Sequence, residues 1–101
     1  MKYNVIVSER AKRMLEQHMR FLAEKNEEAA RRITQDLLDA ARSLADMPQR
    51  YPFFSHAYIP ANKYHKMVVT KYFLLLYQIR DDTVFVDYVV DCRQDYGWLL
   101  E

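Results

Sequence analysis

The chain has 101 residues, of which half are apolar and 29% are charged, and its formal net charge is +1. This composition is typical of one globular domain and excludes a disordered chain, and the small net charge argues against a sequence-wide nucleic-acid-binding surface. The single cysteine excludes an internal disulfide and fits a reducing compartment. No apolar run approaches the ~20 residues that cross a bilayer, and no signal-peptide pattern begins the chain. We therefore expect a single cytoplasmic domain over residues 1–101, with no membrane partner.

The first half of the sequence predicts a strand followed by two helices. Residues 3–7, YNVIV, are short and β-branched, as in a strand. Ser8 and Asn26 stand where N-caps are expected, and each is followed by glutamate and by apolar residues at three- and four-residue steps. These patterns predict two amphipathic helices, the second of which must end before Pro48. Two successive helices with a tight connection form an antiparallel pair.

The second half predicts a long loop and then three strands. Residues 48–63 contain three prolines and are rich in aromatic residues, which indicates an ordered loop packed by its own side chains. The aromatic residues expected to pack it are Tyr51, Phe53, Phe54 and Tyr58. Strands are predicted at 64–69, 73–80 and 83–91. The expected fold is α+β, with an N-terminal strand and an antiparallel helical hairpin on one face of a mainly antiparallel four-stranded sheet.

A two-residue turn at Asp81-Asp82 would fix the register of the last two strands. With Arg80 facing Thr83, four apolar pairs would form the core face: Ile79–Val84, Tyr77–Val86, Leu75–Tyr88 and Phe73–Val90. The opposite side of the sheet, which we call the second face, would carry Arg80, Gln78, Leu76 and Leu74 on one strand, with Thr83, Phe85, Asp87, Val89 and Asp91 on the other. Alternation extended past Asp91 puts Arg93 at the rim of this face. Because the helices can cover only one side, we expect the second face to be partly open. An open surface that mixes apolar side chains with charges favours a partner-binding site.

The order strand, helix, helix and three-stranded meander, together with the stretches YFLLLYQI and DCRQDY followed by LL, resembles the RelE/ParE toxin superfamily of type II toxin–antitoxin modules. The resemblance covers essentially the whole chain. It implies a toxin that a cognate antitoxin wraps with helical and extended segments, in a toxin–antitoxin hetero-oligomer. In that superfamily the RelE branch cuts messenger RNA on the ribosome, whereas ParE-type members poison DNA gyrase. The expected partners are therefore an antitoxin and either DNA gyrase or the translating ribosome.

A nuclease of this kind would need a base, an acid and fixed positive charge to cleave RNA through its own 2′-hydroxyl. His65 or Lys66 could serve as the base and Tyr96 as the acid. Arg93 matches the terminal-strand arginine of the superfamily and could hold the phosphate. No cofactor is expected, and no metal either, since histidines at metal-ligand spacing are absent.

Two features of the sequence weigh against the nuclease. The resemblance matches the middle-strand arginine, which contacts the scissile phosphate in RelE-like nucleases, with Leu74. Asp87 and Asp91 are predicted on the same face, where their charges would repel a phosphate. We therefore favour a non-nucleolytic, ParE-like inhibition of DNA gyrase, with the endoribonuclease and a binding module that has lost toxicity as alternatives. The residues expected to bind the antitoxin are Leu74, Leu76, Phe85 and Val89.

Several of these residues also have a purely structural interpretation. Arg93 could form a surface salt bridge with a neighbouring aspartate. His65 could be a packed strand residue, and the sequence leaves its face undecided. Cys92 is most simply a small core side chain. Tyr96 and Trp98 could pin the end of the chain to the sheet or the loop.

Overall fold

The computed structural model describes residues 2–92, which form two helices packed on one four-stranded sheet. The strands are β1 (Asn4–Val7), β2 (His65–Val69), β3 (Phe73–Arg80) and β4 (Thr83–Asp91), and the helices are α1 (Glu9–Lys25) and α2 (Glu27–Ser43). The sheet order is β1-β4-β3-β2, in which β1 runs parallel to β4 and the other pairs are antiparallel. The predicted α+β fold is confirmed.

Both helices begin at the predicted caps. The amide of Ala11 donates to Ser8 Oγ at 3.0 Å, and the amide of Ala29 donates to Asn26 Oδ1 at 3.0 Å. Each cap satisfies a backbone donor that the first turn of a helix cannot pair. Asn26 also ends α1, since its amide makes the last helical bond, to the carbonyl of Leu22, and its backbone is extended, with a ψ of 100°. One residue therefore both ends the first helix and starts the second, which makes the hairpin tight.

The pairing of β3 with β4 follows the prediction near the turn and then departs from it. Arg80 faces Thr83, and the predicted register holds as far as the pair of Tyr77 with Val86. Asp87 then faces no residue of Phe73–Arg80, because it is the extra residue of a β-bulge. The predicted pairs Leu75–Tyr88 and Phe73–Val90 are wrong; the observed pairs are Leu76–Tyr88, Leu75–Val89, Leu74–Val90 and Phe73–Asp91.

The bulge moves the last residues of β4 to the opposite faces of the sheet, because side chains alternate along a strand. Val89 is 3% exposed in the core beneath the helices, so its predicted place on the second face is wrong. Asp91 also departs from its predicted face, since it is buried opposite Phe73 on the helical side. Tyr88 and Val90 instead contribute to the second face.

Each face of the sheet has its own apolar cluster. The larger cluster lies between the sheet and the helices and includes Leu37, Phe73, Leu75, Tyr77 and Val89. The smaller cluster lies on the second face and comprises Phe54, Tyr64, Leu74, Leu76 and Val90. Two of its members come from the chain between the helices and β2. The expectation of an open second face is therefore wrong where this chain segment crosses it.

Residues 52–64, which we call the covering segment, follow a short 3-10 turn at Pro48–Arg50. Phe54 is buried against the second face, as predicted for a packed loop. Tyr58, in contrast, is 68% exposed at the far end of the segment, so the prediction that it packs the loop is wrong. Phe53 is also largely exposed, although one side of its ring stacks on His65.

The turn between β2 and β3 predicts a stabilising substitution. Lys71 is exposed and has a φ of 75°, in the left-handed region that costs a residue with a Cβ atom about 1–2 kcal/mol. Lys71→Gly should therefore raise the free energy of unfolding by about 0.5–1 kcal/mol, after the larger backbone entropy of glycine in the unfolded chain is subtracted. Urea denaturation measures this change.

Lys12→Gly is the matched control, since Lys12 is an exposed lysine inside α1. There glycine should lower the free energy of unfolding by about 1 kcal/mol. A loss of stability at both positions would contradict the assignment of strain to Lys71.

Candidate functional site

The centre of the second face is a carboxylate. Asp87 accepts hydrogen bonds from Gln78 Nε2 at 2.7 Å and from the Tyr64 hydroxyl at 3.1 Å. Burial, and after it the neighbouring Asp87 charge, raises the pKa of the Tyr64 hydroxyl to about 12. Tyr64 therefore stays protonated near neutral pH and acts as a hydrogen-bond donor to Asp87. A half-buried carboxylate held by two donors therefore lies at the centre of this face, where its charge would repel a phosphate placed directly beside it.

Two cations lie near this carboxylate, each over an aromatic ring. The guanidinium carbon of Arg10 is 4.7 Å from the ring centroid of Tyr88, and the Lys63 ammonium is 5.5 Å from that of Tyr64. The two tyrosine rings meet edge to face at 5.7 Å. Both cations come from outside the sheet, one from α1 and one from the covering segment. The cluster of aromatic rings and cations is therefore assembled by three separate parts of the fold.

The four residues predicted to bind an antitoxin do not form one exposed patch. Leu74 and Leu76 are 4% and 0% exposed beneath the covering segment, and Val89 faces the helices. Of the four, Phe85 retains accessible surface, and its ring centroid lies 5.8 Å from the guanidinium carbon of Arg80. The predicted apolar residues are therefore present, but the covering segment and the bulge take three of them out of contact with solvent.

The residues proposed as a catalytic base lie on opposite faces of β2. His65 is 8% exposed and stacks between Phe53 at 4.2 Å and Tyr77 at 5.2 Å, measured between ring centroids. Its Nδ1 donates to the carbonyl oxygen of Tyr51 at 2.8 Å, which fixes the tautomer of the neutral ring. Lys66 is half-buried and, by strand alternation, points to the second face, as expected from the cost of burying a lysine in the core. The structure thus gives His65 a packing role in the core and gives Lys66 no such role.

The other two candidate catalytic residues, Arg93 and Tyr96, lie outside the described residues, as does Trp98. Cys92, the last described residue, is half-buried against the second-face cluster, as predicted for a small packed side chain. Among residues 2–92 no group of three or more histidine, cysteine or acidic side chains could hold a metal ion. No helix in that range has the length and apolar character needed to cross a membrane.

A second candidate surface lies on the helical hairpin. An open groove of about 820 Å³ runs between α1 and α2. Its apolar lining comes from Leu15, Met19, Ala23 and Ala30, and its charged rims include Lys12, Glu16, Arg20, Glu27 and Arg31. Sequence reasoning missed this groove, because it assigned the apolar positions of both helices to the core. The signal that could have revealed it is the pair of small residues, Ala23 and Ala30, on either side of the interhelical turn, since small side chains leave space between packed helices.

Comparison with known proteins gives a matching family and similar folds among solved structures. A family model described as "ParE toxin of type II toxin-antitoxin system, parDE" matches residues 5–96. Among solved structures, a chain described as "Chromosomal ParDE TA system from P. aeruginosa" aligns with a TM-score of 0.74 over 89% of this chain and 96% of that chain, at 9% sequence identity. No curated protein sequence matched. The resemblance found in the sequence, and its ParE-like character, are thereby confirmed.

The buried position of His65 predicts a structural rather than a catalytic effect of mutation. His65→Ala removes a ring stacked on both sides and leaves the Tyr51 carbonyl without its donor. We expect the free energy of unfolding to fall by about 2–4 kcal/mol, as measured by urea denaturation. Lys66→Ala, on the neighbouring residue, should change it by less than about 1 kcal/mol. Equal stability of the His65→Ala variant and the wild type would contradict the packing role.

Proposed function

The chain belongs to the ParE toxin family of type II toxin–antitoxin systems, and on that premise we propose that it arrests growth by inhibiting DNA gyrase without cutting nucleic acid. We further propose that a cognate antitoxin neutralises it by covering the surface that gyrase would contact. The observation that supports the non-nucleolytic mode is the chemistry of the second face, where Asp87 lies at the centre and Leu74, which the resemblance matches to the nucleases' middle-strand arginine, is buried.

The electrostatics of the second face support this choice. Phosphoryl transfer develops negative charge in its transition state, which an enzyme stabilises with preorganised donors and cations. Asp87 is held at the centre of this face by two hydrogen bonds, and Leu74, at the position of the nucleases' middle-strand arginine, is 4% exposed. The candidate base His65 packs on the other side of the sheet. Bringing an RNA phosphate to this face would place it beside a negative charge.

The hairpin groove supports a protein partner. Its lining is apolar and its rims carry both signs of charge, which is the pattern of a surface that receives an amphipathic helix. The groove is open in this chain, whereas the apolar residues of the second face are covered. We therefore assign the gyrase contact to α1 and α2. Phe85, which keeps accessible surface on the sheet, is the one of the four predicted antitoxin-binding residues that we retain as a direct antitoxin contact.

The similar fold from P. aeruginosa supports the antitoxin, because its description names a toxin–antitoxin system. An antitoxin that lies along the hairpin would compete directly with gyrase for the groove. Neutralisation by competition needs no change in the fold of the toxin. The proposed assembly is therefore a hetero-oligomer in which the antitoxin occupies the toxin's target-binding surface.

Filling the groove should abolish gyrase inhibition. Ala23 is exposed on α1 and lines the groove, so Ala23→Arg places a long side chain there without removing a core contact. We expect the concentration of purified toxin that half-inhibits DNA supercoiling by gyrase to rise by about tenfold or more, since blocking the centre of an interface costs well over 1 kcal/mol. Gyrase-cleaved DNA should accumulate with the wild-type protein and not with the variant.

Gln17→Arg adds the same side chain at another exposed position of α1, outside the groove, and should leave gyrase inhibition unchanged. Equal inhibition by the two arginine variants would exclude the groove as the gyrase contact. Cleavage of messenger RNA on translating ribosomes, without accumulation of cleaved DNA, would overturn the gyrase mode in favour of the nuclease. Absence of growth arrest when the chain is expressed alone would indicate a binding module that has lost toxicity.

A further inference from the structure

We infer that the covering segment is a latched cover over the apolar part of the second face, and that the hydrogen bond from the Tyr64 hydroxyl to Asp87 is the latch. In the closed state the segment keeps a second apolar surface of the chain out of water. Opening would expose that surface without unfolding the sheet or the helices. This inference concerns the chain's own conformations and holds whether or not gyrase is the target.

The surface beneath the segment is large and apolar. Leu74, Leu76 and Val90 lie side by side on adjacent strands and are at most 4% exposed. Phe54 and Ile59 of the covering segment pack on them. A sheet with helices on one side has no other element to shield these side chains, so the irregular segment supplies the burial that a second layer would give in a larger domain.

Most of the described backbone hydrogen bonds of the covering segment join its own residues to one another rather than to the sheet. The Phe54 amide donates to the carbonyl of Tyr64 at 2.7 Å, and the Lys66 amide donates to the carbonyl of Pro52 at 2.9 Å. These bonds join the two ends of the segment to each other and to the start of β2. Between them, the Ile59 and Lys63 amides donate to carbonyls within the segment. Because these bonds lie within the segment, they can break together while the sheet and the helices stay paired, which is local unfolding of one segment.

The latch spans the gap between the end of the segment and β4. Tyr64 is the last residue of the segment, and its hydroxyl donates to the carboxylate of Asp87 at 3.1 Å, 23 positions away in sequence. Its ring also contacts Tyr88 edge to face. This hydrogen bond therefore joins a side chain of the segment directly to a side chain of β4.

Asp87, which accepts the latch hydrogen bond, is held in place by contacts outside the covering segment. The bulge frees its backbone from pairing with β3, but Ser8 Oγ donates to its carbonyl at 3.4 Å and the Ser8 amide donates to the carbonyl of Val86 at 2.9 Å. Gln78 holds the carboxylate from β3 at 2.7 Å. Because Asp87 is held by the first residue before α1 and by β3, the part that moves is the covering segment.

Amide hydrogen exchange on the full chain tests the latch. Tyr64→Phe removes only the hydroxyl and keeps the ring against Tyr88. We expect exchange at the Phe54, Ile59 and Lys63 amides to accelerate about fivefold, because removing one ordinary hydrogen bond shifts a local opening equilibrium by about that factor. Amides within β3 should keep their wild-type rates, and the variant should bind more of an apolar-surface dye such as ANS.

Two further variants separate the latch from general stability. Asp87→Ala removes the acceptor and should accelerate the same amides at least as much as Tyr64→Phe. Gln78→Ala removes the other bond to Asp87 but touches no residue of the segment, so exchange in the segment should stay within about twofold of the wild type. Unchanged exchange in Tyr64→Phe, equal acceleration in Gln78→Ala, or a matching acceleration throughout β3 would each overturn the inference.

Discussion

The β-bulge at Asp87 is the feature on which the rest of the structure depends. One unpaired residue in β4 reverses the facing of every residue that follows it, so that Val89 enters the core under the helices and Val90 joins the second face. The same residue turns a carboxylate toward Tyr64 and Gln78. Beside the bulge, Ser8 caps α1 and bonds to the backbone of β4. One bulge in one strand thus sets the positions of the hairpin, the covering segment and the second face.

Much of the fold follows from local sequence. The caps at Ser8 and Asn26, the bounds of β3 and β4 and the turn at Asp81-Asp82 depend on residues within a few positions of one another, and all were predicted. A bulge does not depend on local pattern alone. Residues 83–91 alternate well enough to read as a regular strand, and the shift is decided by which face buries more apolar surface after Val86.

The candidate site was predicted less well, because it too depends on contacts between residues that are distant in sequence. A sheet that carries helices on one side was expected to be bare on the other, but Phe54 and Tyr64 of the covering segment shield it. Their burial depends on contacts with β3 and β4, which are distant in sequence, and composition alone does not show which face an irregular segment crosses. The predicted places of Leu74 and Asp87 on the second face are confirmed, since neither depends on the register beyond the bulge, whereas the prediction that Asp91 shares this face is wrong. The hairpin groove was missed because packing, not periodicity, creates it.

These features together favour protein recognition over chemistry on nucleic acid. The second face is occupied by a carboxylate and sealed apolar side chains, whereas the hairpin offers an open apolar groove with charged rims. On a fold of this size, function is therefore set by which surface is filled and which is open, and not by the arrangement of sheet and helices alone.

The most direct test of the account is the placement of Val89 and Val90 by isotope-edited nuclear Overhauser spectroscopy of the free protein. The bulge predicts cross-peaks from the Val89 methyl groups to side chains of the core beneath the helices, and from the Val90 methyl groups to the rings of Phe54 and Tyr64. The reverse pattern, with Val90 in contact with α1 and Val89 in contact with the covering segment, would mean that β4 is regular. In that case the apolar part of the second face and its cover would have to be reassigned.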